Sequence, residues 1–171
     1  LVEAFADSSG TALLYPSGRT TDARTAAFIN GAAAHTIEFD DIYRDGLYHP
    51  AAPVISAVMA VAQALGLGGD AFLRAVIAGY EVSNRMAVAV NPAHYEYWHT
   101  TGTIGTFGAA AGAGVALGLD GETIGHAMAN AGTLAAGLQQ AFRADAMAKP
   151  LHTAHAAQTG VILAMAAEKG A

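Results

Sequence analysis

From Thr100 to Leu119 the chain runs without a charged residue, and Gly102, Gly105, Gly108, Gly112, Gly114 and Gly118 recur through it. The alanines between them favour helix, yet each interior glycine costs a helix about 0.5–1 kcal/mol relative to alanine. Something must offset that cost. The simplest compensation is close approach of neighbouring backbones where no side chain intervenes, as on the small-residue faces of tightly packed bundles. The run is also about as long as a bilayer is thick. It consists of Ala, Gly and Thr with little Leu, Ile or Phe, and no Lys or Arg flanks it closely. A helix buried in a soluble core is therefore expected in place of a membrane span.

The other segments also read as helix. Thr21 or Asp22 can cap a helix over 22–38, with Ala27, Phe28, Ala32 and His35 near one face. Pro50 and Pro53 suit the first turn of a second, carrying Val54, Val58, Val61 and Leu65 and stopped by the glycines at 66–69. Asp70 opens a third, whose apolar stripe is Phe72, Val76, Ile77, Tyr80, Met86 and Val90 and which ends at Asn91-Pro92. Helices over 101–117, 120–138 and 151–169 complete an all-α, Ala/Gly-rich multi-helix bundle. Residues 1–171 make one helical domain in this reading, with short connections that let the helices pack as antiparallel or crossing neighbours.

A hydrophobic fraction of 53% excludes a disordered tail, and the formal charge of -6 argues against a nucleic-acid partner. Small anionic substrates remain possible, because a site responds to its local groups more than to distant screened charges. The absence of cysteine removes a disulfide scaffold and a cysteine nucleophile and leaves the compartment open, with cytoplasm as the default. The chain begins at Leu1 with neither an initiator Met nor a signal-like segment, which reads as an apparent fragment of a longer protein.

Charged residues are 13% of the chain, so their gathering into three polar clusters points to a site. The first is Glu38-Phe39-Asp40-Asp41, running through a loop to His49-Pro50, where Asp40 and Asp41 cannot share a face. The second spans 94–105. Its aromatics supply walls, a histidine such as His99 ordinarily titrates near neutrality, and Thr100, Thr101 and Thr103 open a helix whose free N–H groups favour anions. The third places Lys149 before Pro150, with His152 and His155 at i and i+3 on one helix face. Lys149 and the positive end of that helix would both meet an anionic ligand.

Two rival chemistries have weaker signals. Zinc on His152 and His155, completed by Asp41 or His49, lacks the Glu of a His-Glu-x-x-His motif. Phosphate cradling by Gly102-Thr103-Ile104-Gly105 lacks an adjoining strand and a Gly-Lys-Ser/Thr.

In this order, AAFINGAAAHTIEFDD, HPAAPV, WHTTGTIGTFGAAAGAG, GLQQAF and MAKPLHTAHAAQTG resemble the MmgE/PrpD family, and the similarity runs over essentially the whole chain. The resemblance implies an all-helical domain, a homodimer and metal-independent lyase or epimerase chemistry on small di- or tricarboxylates, without a cofactor. Dehydration of the 2-methylcitrate type is the favoured reaction. Family members are longer, with an added N-terminal segment, an α/β lid domain and a returning C-terminal segment, so the chain resembles the central part of the helical domain.

Carried over residue by residue, the family's active-site acid matches Glu38, its His-Pro histidine His49, the histidine before Thr-Gly-Thr His99, and its Lys-Pro lysine Lys149. The chain departs from the family in having Glu where Asp is frequent at 38, and Ile where Thr is frequent at 42. The loop to the His-Pro block also differs by one residue. Removing a proton α to a carboxylate builds charge on that carboxylate, so fixed positive groups and a nearby base are needed. Lys149 would hold the carboxylate with Thr101 and helix-start N–H groups, and with His152 as a further substrate-binding candidate. His99 and His49 would be acid and base on opposite sides, Asp41 would fix an imidazole tautomer, and Glu38 would be a second acid/base or a polar support. The alternative is a non-catalytic helical module for dimerisation or partner binding.

Overall fold

The computed structural model of the protein describes residues 1–6, 8–144 and 146–171. Among them are seven α-helices: α1 (Val2–Phe5), α2 (Ala23–His35), α3 (Ala51–Leu65), α4 (Gly69–Val90), α5 (Thr100–Ala116), α6 (Gly121–Leu134) and α7 (Lys149–Glu168). The all-α architecture is as expected. It carries two additions to the six expected helices, the short α1 and a small antiparallel hairpin of β1 (Ala12–Leu13) and β2 (Thr20–Thr21), which pairs Ala12 with Thr21 and Leu13 with Thr20.

Local chemistry explains most helix ends. Asp22 caps α2, its carboxylate accepting from the backbone N–H of Arg24 at 2.9 Å and of Thr25 at 3.3 Å. Gly66 closes α3 at a left-handed φ of 66°, a conformation glycine adopts without steric cost. Two helices stop earlier than the sequence suggests. Helix α2 ends at His35 because Glu38 takes a left-handed φ of 50°, through which no α-helix continues. Helix α6 ends at Leu134 because the next residues bind elsewhere: Gly137 O accepts from His99 N at 2.9 Å, and Gln139 N donates to Tyr97 O at 2.8 Å.

Helix α5 lies at the centre, against α3, α4, α6 and α7, while α2 packs on α7 and α3. The glycine cost in α5 is offset as expected. A Cβ built on Gly108 would stand 2.6 Å from Ser83 Oγ and 2.9 Å from Gly79 O, so α4 and α5 cross almost backbone to backbone. The buried line of α4 is accordingly Ala75, Gly79, Ser83 and Ala87, spaced by four. Ile77, expected in an apolar stripe, lies between two of these positions on the other side of the helix and is 66% exposed.

Gly160 of α7 rests on the backbone of Ala109 in α5, while His152 meets His99 one or more turns earlier in each helix. The two helices therefore run in the same direction, and both N-termini arrive at the same place. The loop of residues 36–50 joins them there.

Candidate active site

That loop is anchored at several points. Tyr48 is 1% exposed, and its hydroxyl is bound at 2.9 Å to Ser83 Oγ and donates at 2.6 Å to Asn84 Oδ1 on α4. Asp41 accepts from Ala51 N and from Tyr80 Oη, each at 2.9 Å, which caps α3 and ties the loop to α4. The backbone N–H of His49 donates to Thr101 Oγ1 at 3.1 Å. These bonds fix where His49 stands relative to the start of α5.

His49, His99, Thr101 and Lys149 line one cavity of about 190 Å³, walled by Tyr48 and Phe142 among others. Residues from the first, second and third polar clusters thus meet across roughly a hundred residues of chain. Lys149 is 16% exposed, pairs with Glu38 Oε1 at 2.6 Å and lies 4.9 Å above the Phe142 ring. The Lys149 hydrogen bond holds the Glu38 carboxyl below its usual range, outweighing a partial desolvation. A neighbouring cavity of about 290 Å³ lies on the Glu38 side of Lys149 and reaches His35.

His99 is the N-cap residue of α5 and is 2% exposed. Its Nδ1 lies 3.0 Å from Nδ1 of His152, so one of the two donates and the other accepts. The Phe142 ring meets it edge-on at 4.8 Å. Burial, then the charges of His152, His35 and Lys149, push the His99 pKa down to about 2. His152 is lowered too, by burial first and then by His155 and His35. This wall of the cavity is therefore made of neutral imidazoles beside one ammonium.

Behind His49, outside the lining of this cavity, stand two groups that the sequence reading did not assign. His35, at the end of α2, is fully buried, with its ring 4.7 Å from that of His49 and 5.9 Å from that of His99. Asp40 Oδ2 is 2.9 Å from His35 Nδ1 and 3.4 Å from His49 Nδ1. Burial raises the Asp40 pKa, but the hydrogen bond from His35 and the nearby His49 imidazole outweigh it and hold the carboxyl well below the usual carboxylate range.

His35, Asp40 and His49 are also ligand types for a transition metal, and their donor atoms lie within 4.8 Å of one another. Two ligands on a zinc ion, with bonds of about 2.1 Å, stand about 3.4 Å apart. The 2.9 Å separation of His35 from Asp40 is instead that of a hydrogen bond with a proton in it. The zinc set built on His155 does not assemble. His155 Nε2 is bound to Leu134 O at 3.0 Å, and Asp41 is occupied at α3.

Residues 2–171 match the family model of the MmgE/PrpD N-terminal domain. The chain belongs to the MmgE/PrpD family. Its curated relatives include the cis-aconitate decarboxylase of Homo sapiens, 34% identical over 151 residues, covering 85% of this chain and 31% of the human protein. The cis-aconitate decarboxylase of Mus musculus is 32% identical over 146 residues, covering 80% of this chain and 28% of the mouse protein. The chain thus spans about a third of the length of these relatives.

The positions that the MmgE/PrpD resemblance singles out fall into place unevenly. His49, His99, Thr101 and Lys149 share the cavity, Glu38 reaches it through Lys149, and His152 stands behind His99. Asp41 does not face an imidazole; the carboxylate that does is Asp40. The departure at Ile42 puts an apolar side chain, 68% exposed, on the rim of the cavity. Of the missed groups, Asp40 had a signal in the alternation of the acidic pair. His35 had one in its place on the buried face of α2, three residues before Glu38. No helix among the described residues is long and apolar enough to cross a membrane.

Proposed function

We propose that the chain carries the acid–base and carboxylate-holding site of a lyase acting on a small di- or tricarboxylate, in a homodimeric, metal-independent enzyme. The observation that carries this reading is the convergence of two imidazoles, one ammonium and one buried hydroxyl on a single cavity. Lys149 holds the carboxylate next to the reacting carbon, aided by Thr101 and by the N–H groups of Thr100 and Thr101, which open α5 ahead of the first bonds of that helix, from Gly102 N and Thr103 N to His99 O. Charge that moves onto that carboxylate as the adjacent C–H bond breaks is met by the ammonium. One of His49 and His99 accepts the proton, and a second proton is delivered on the opposite side of the substrate by the other once it has taken one up from solvent. In dehydration that second proton goes to the departing hydroxyl, which leaves as water.

A second reaction of the same class is favoured by the curated names of the relatives, which are decarboxylases. There the C–C bond to one carboxylate breaks, carbon dioxide leaves, and the electron pair spreads toward the carboxylate held by Lys149 until an imidazolium protonates carbon. Both reactions use the same holder and the same proton donor.

The test is proton NMR in D₂O of the complete protein with EDTA, given 2-methylcitrate, citrate, cis-aconitate and iminodisuccinate in turn. Turnover of one of them, or deuterium entering its carbon framework, is the expected result and names the substrate. Silence from the folded protein across the panel would count against the reading and favour a non-catalytic helical module.

A further inference from the structure

Asp40 has no part in the scheme above, yet its side chain is only 7% exposed and two imidazoles converge on one of its oxygens. The neighbouring Asp41 has a structural task, capping α3 through Ala51 N. The two adjacent carboxylates have therefore separate partners. Asp40 turns inward to His35 and His49, and Asp41 turns to the backbone and Tyr80.

An imidazole whose Nδ1 faces a carboxylate keeps its proton on Nδ1, which leaves Nε2 as the basic nitrogen, and the carboxylate then stabilises the imidazolium once a proton arrives. His49 comes close to this arrangement: its buried Nδ1 makes no hydrogen bond among the described residues and lies 3.4 Å from Asp40 Oδ2, one short adjustment from bonding it, while the residue lines the cavity. His35 shares the same oxygen at 2.9 Å and packs its ring on that of His49, so it fixes the carboxylate and buttresses the imidazole together. Among the described residues no carboxylate is bonded to His99, whose surroundings include His152, His35 and Lys149. Glu38, another acid nearby, is held by Lys149.

Building on the proposed acid–base site, we propose that Asp40 is a positioning residue which, braced by His35, holds His49 in the Nδ1–H tautomer and makes His49 Nε2 the atom that carries the substrate proton. The proton moves from substrate carbon to His49 Nε2, the C–H electron pair stays with the substrate, and Asp40 remains a carboxylate throughout.

The experiment uses the complete protein labelled with ¹⁵N-histidine, and long-range ¹H–¹⁵N correlation to read the His49 tautomer. The expected result is a protonated Nδ1 and a free Nε2 in the unsubstituted protein, with loss of that preference in Asp40→Asn. In the kinetic arm, Asp40→Asn lowers kcat by about 10²–10⁴-fold, the usual range for general acid–base catalysis, with KM changed by less than about threefold. Asp40→Glu restores part of the loss. A His49 protonated at Nε2 in the unsubstituted protein would overturn the inference, and so would an Asp40→Asn protein with undiminished kcat. Should no panel substrate be turned over, the functional reading fails by itself, while the tautomer of the unsubstituted protein still decides the role of Asp40.

Discussion

Replacing Lys149 by Met separates the two roles that one ammonium plays. The chain length is kept and the charge removed. In the resting protein the partner of Lys149 is Glu38, whose side chain is 55% exposed. A half-exposed carboxylate that loses its partner is taken up by water, so the fold should lose only about 0–1 kcal/mol. The substrate carboxylate fares differently, because Lys149 is 16% exposed and the cavity leaves little room for water to replace it. A charge-assisted hydrogen bond there contributes about 1.5–3 kcal/mol, or about 10- to 150-fold in kcat/KM. Charge growing on that carboxylate in the transition state places much of the loss in kcat. The assay pairs urea unfolding with steady-state kinetics of the complete protein on whichever carboxylate it consumes. A stability loss larger than the kinetic one would refute the reasoning and make Lys149 a structural ion. Glu38→Gln is the companion: it removes the resident carboxylate from Lys149, so KM should fall if Glu38 only competes with substrate, whereas kcat should fall if it transfers a proton.

His99→Ala should lower turnover by about 10²–10⁴-fold while the far-UV circular dichroism stays helical, and near-normal turnover would remove His99 from the site. Gly108→Val should cost about 1–3 kcal/mol in unfolding free energy, since its Cβ alone meets Ser83 and Gly79 at 2.6 and 2.9 Å; an unchanged Tm would contradict the packing. The pH dependence of stability has two parts. The His99 pKa is about 2 in the folded chain and about 6.5 in the unfolded one, so acid protonates the unfolded state first and stability should fall below about pH 6.5. The slope is at most about 1.4 kcal/mol per pH unit for this histidine, and His99→Gln should flatten it. Asp40, lowered in the folded state, contributes stability that is present above its unfolded pKa of about 3.9 and is lost as pH falls below it. Asp40→Asn should therefore flatten the steepest acid limb, measured by urea midpoints from pH 7 to 2.5.

The helices were readable because their signals are local. Asp22 caps, Gly66 stops, and Asn91-Pro92 ends a segment by the chemistry of one or two residues. The hairpin was not readable, since strands of two residues, Ala12–Leu13 and Thr20–Thr21, carry no usable alternation. Ile77 misled for a related reason: hydrophobicity suggested an apolar stripe, but the close approach to α5 selects small side chains. In the site, residue type alone marked His99 and Lys149. The roles of Asp40 and Asp41 depended on a loop that reverses through a left-handed Glu38, where a non-glycine residue gives no warning of its φ. His35 looked like one more buried helix residue until the fold brought His49 and His99 to its ring.

The contact of Gly160 with the backbone of Ala109 has a mechanical consequence. A joint made of main chain has a single register, because sliding it drives a Cβ into a carbonyl. His99, His152 and Lys149 sit on the ends of the two helices so joined, and their mutual spacing is gauged two to three turns away, beyond the reach of any ligand. Glu38, Asp40 and His49 belong to a loop pinned at points. The cavity is thus an anvil facing a spring held at its pins: substrates of different length should be accommodated by displacement of the loop between those pins, where Ile42 is exposed on the rim, while the imidazoles and the ammonium keep their positions.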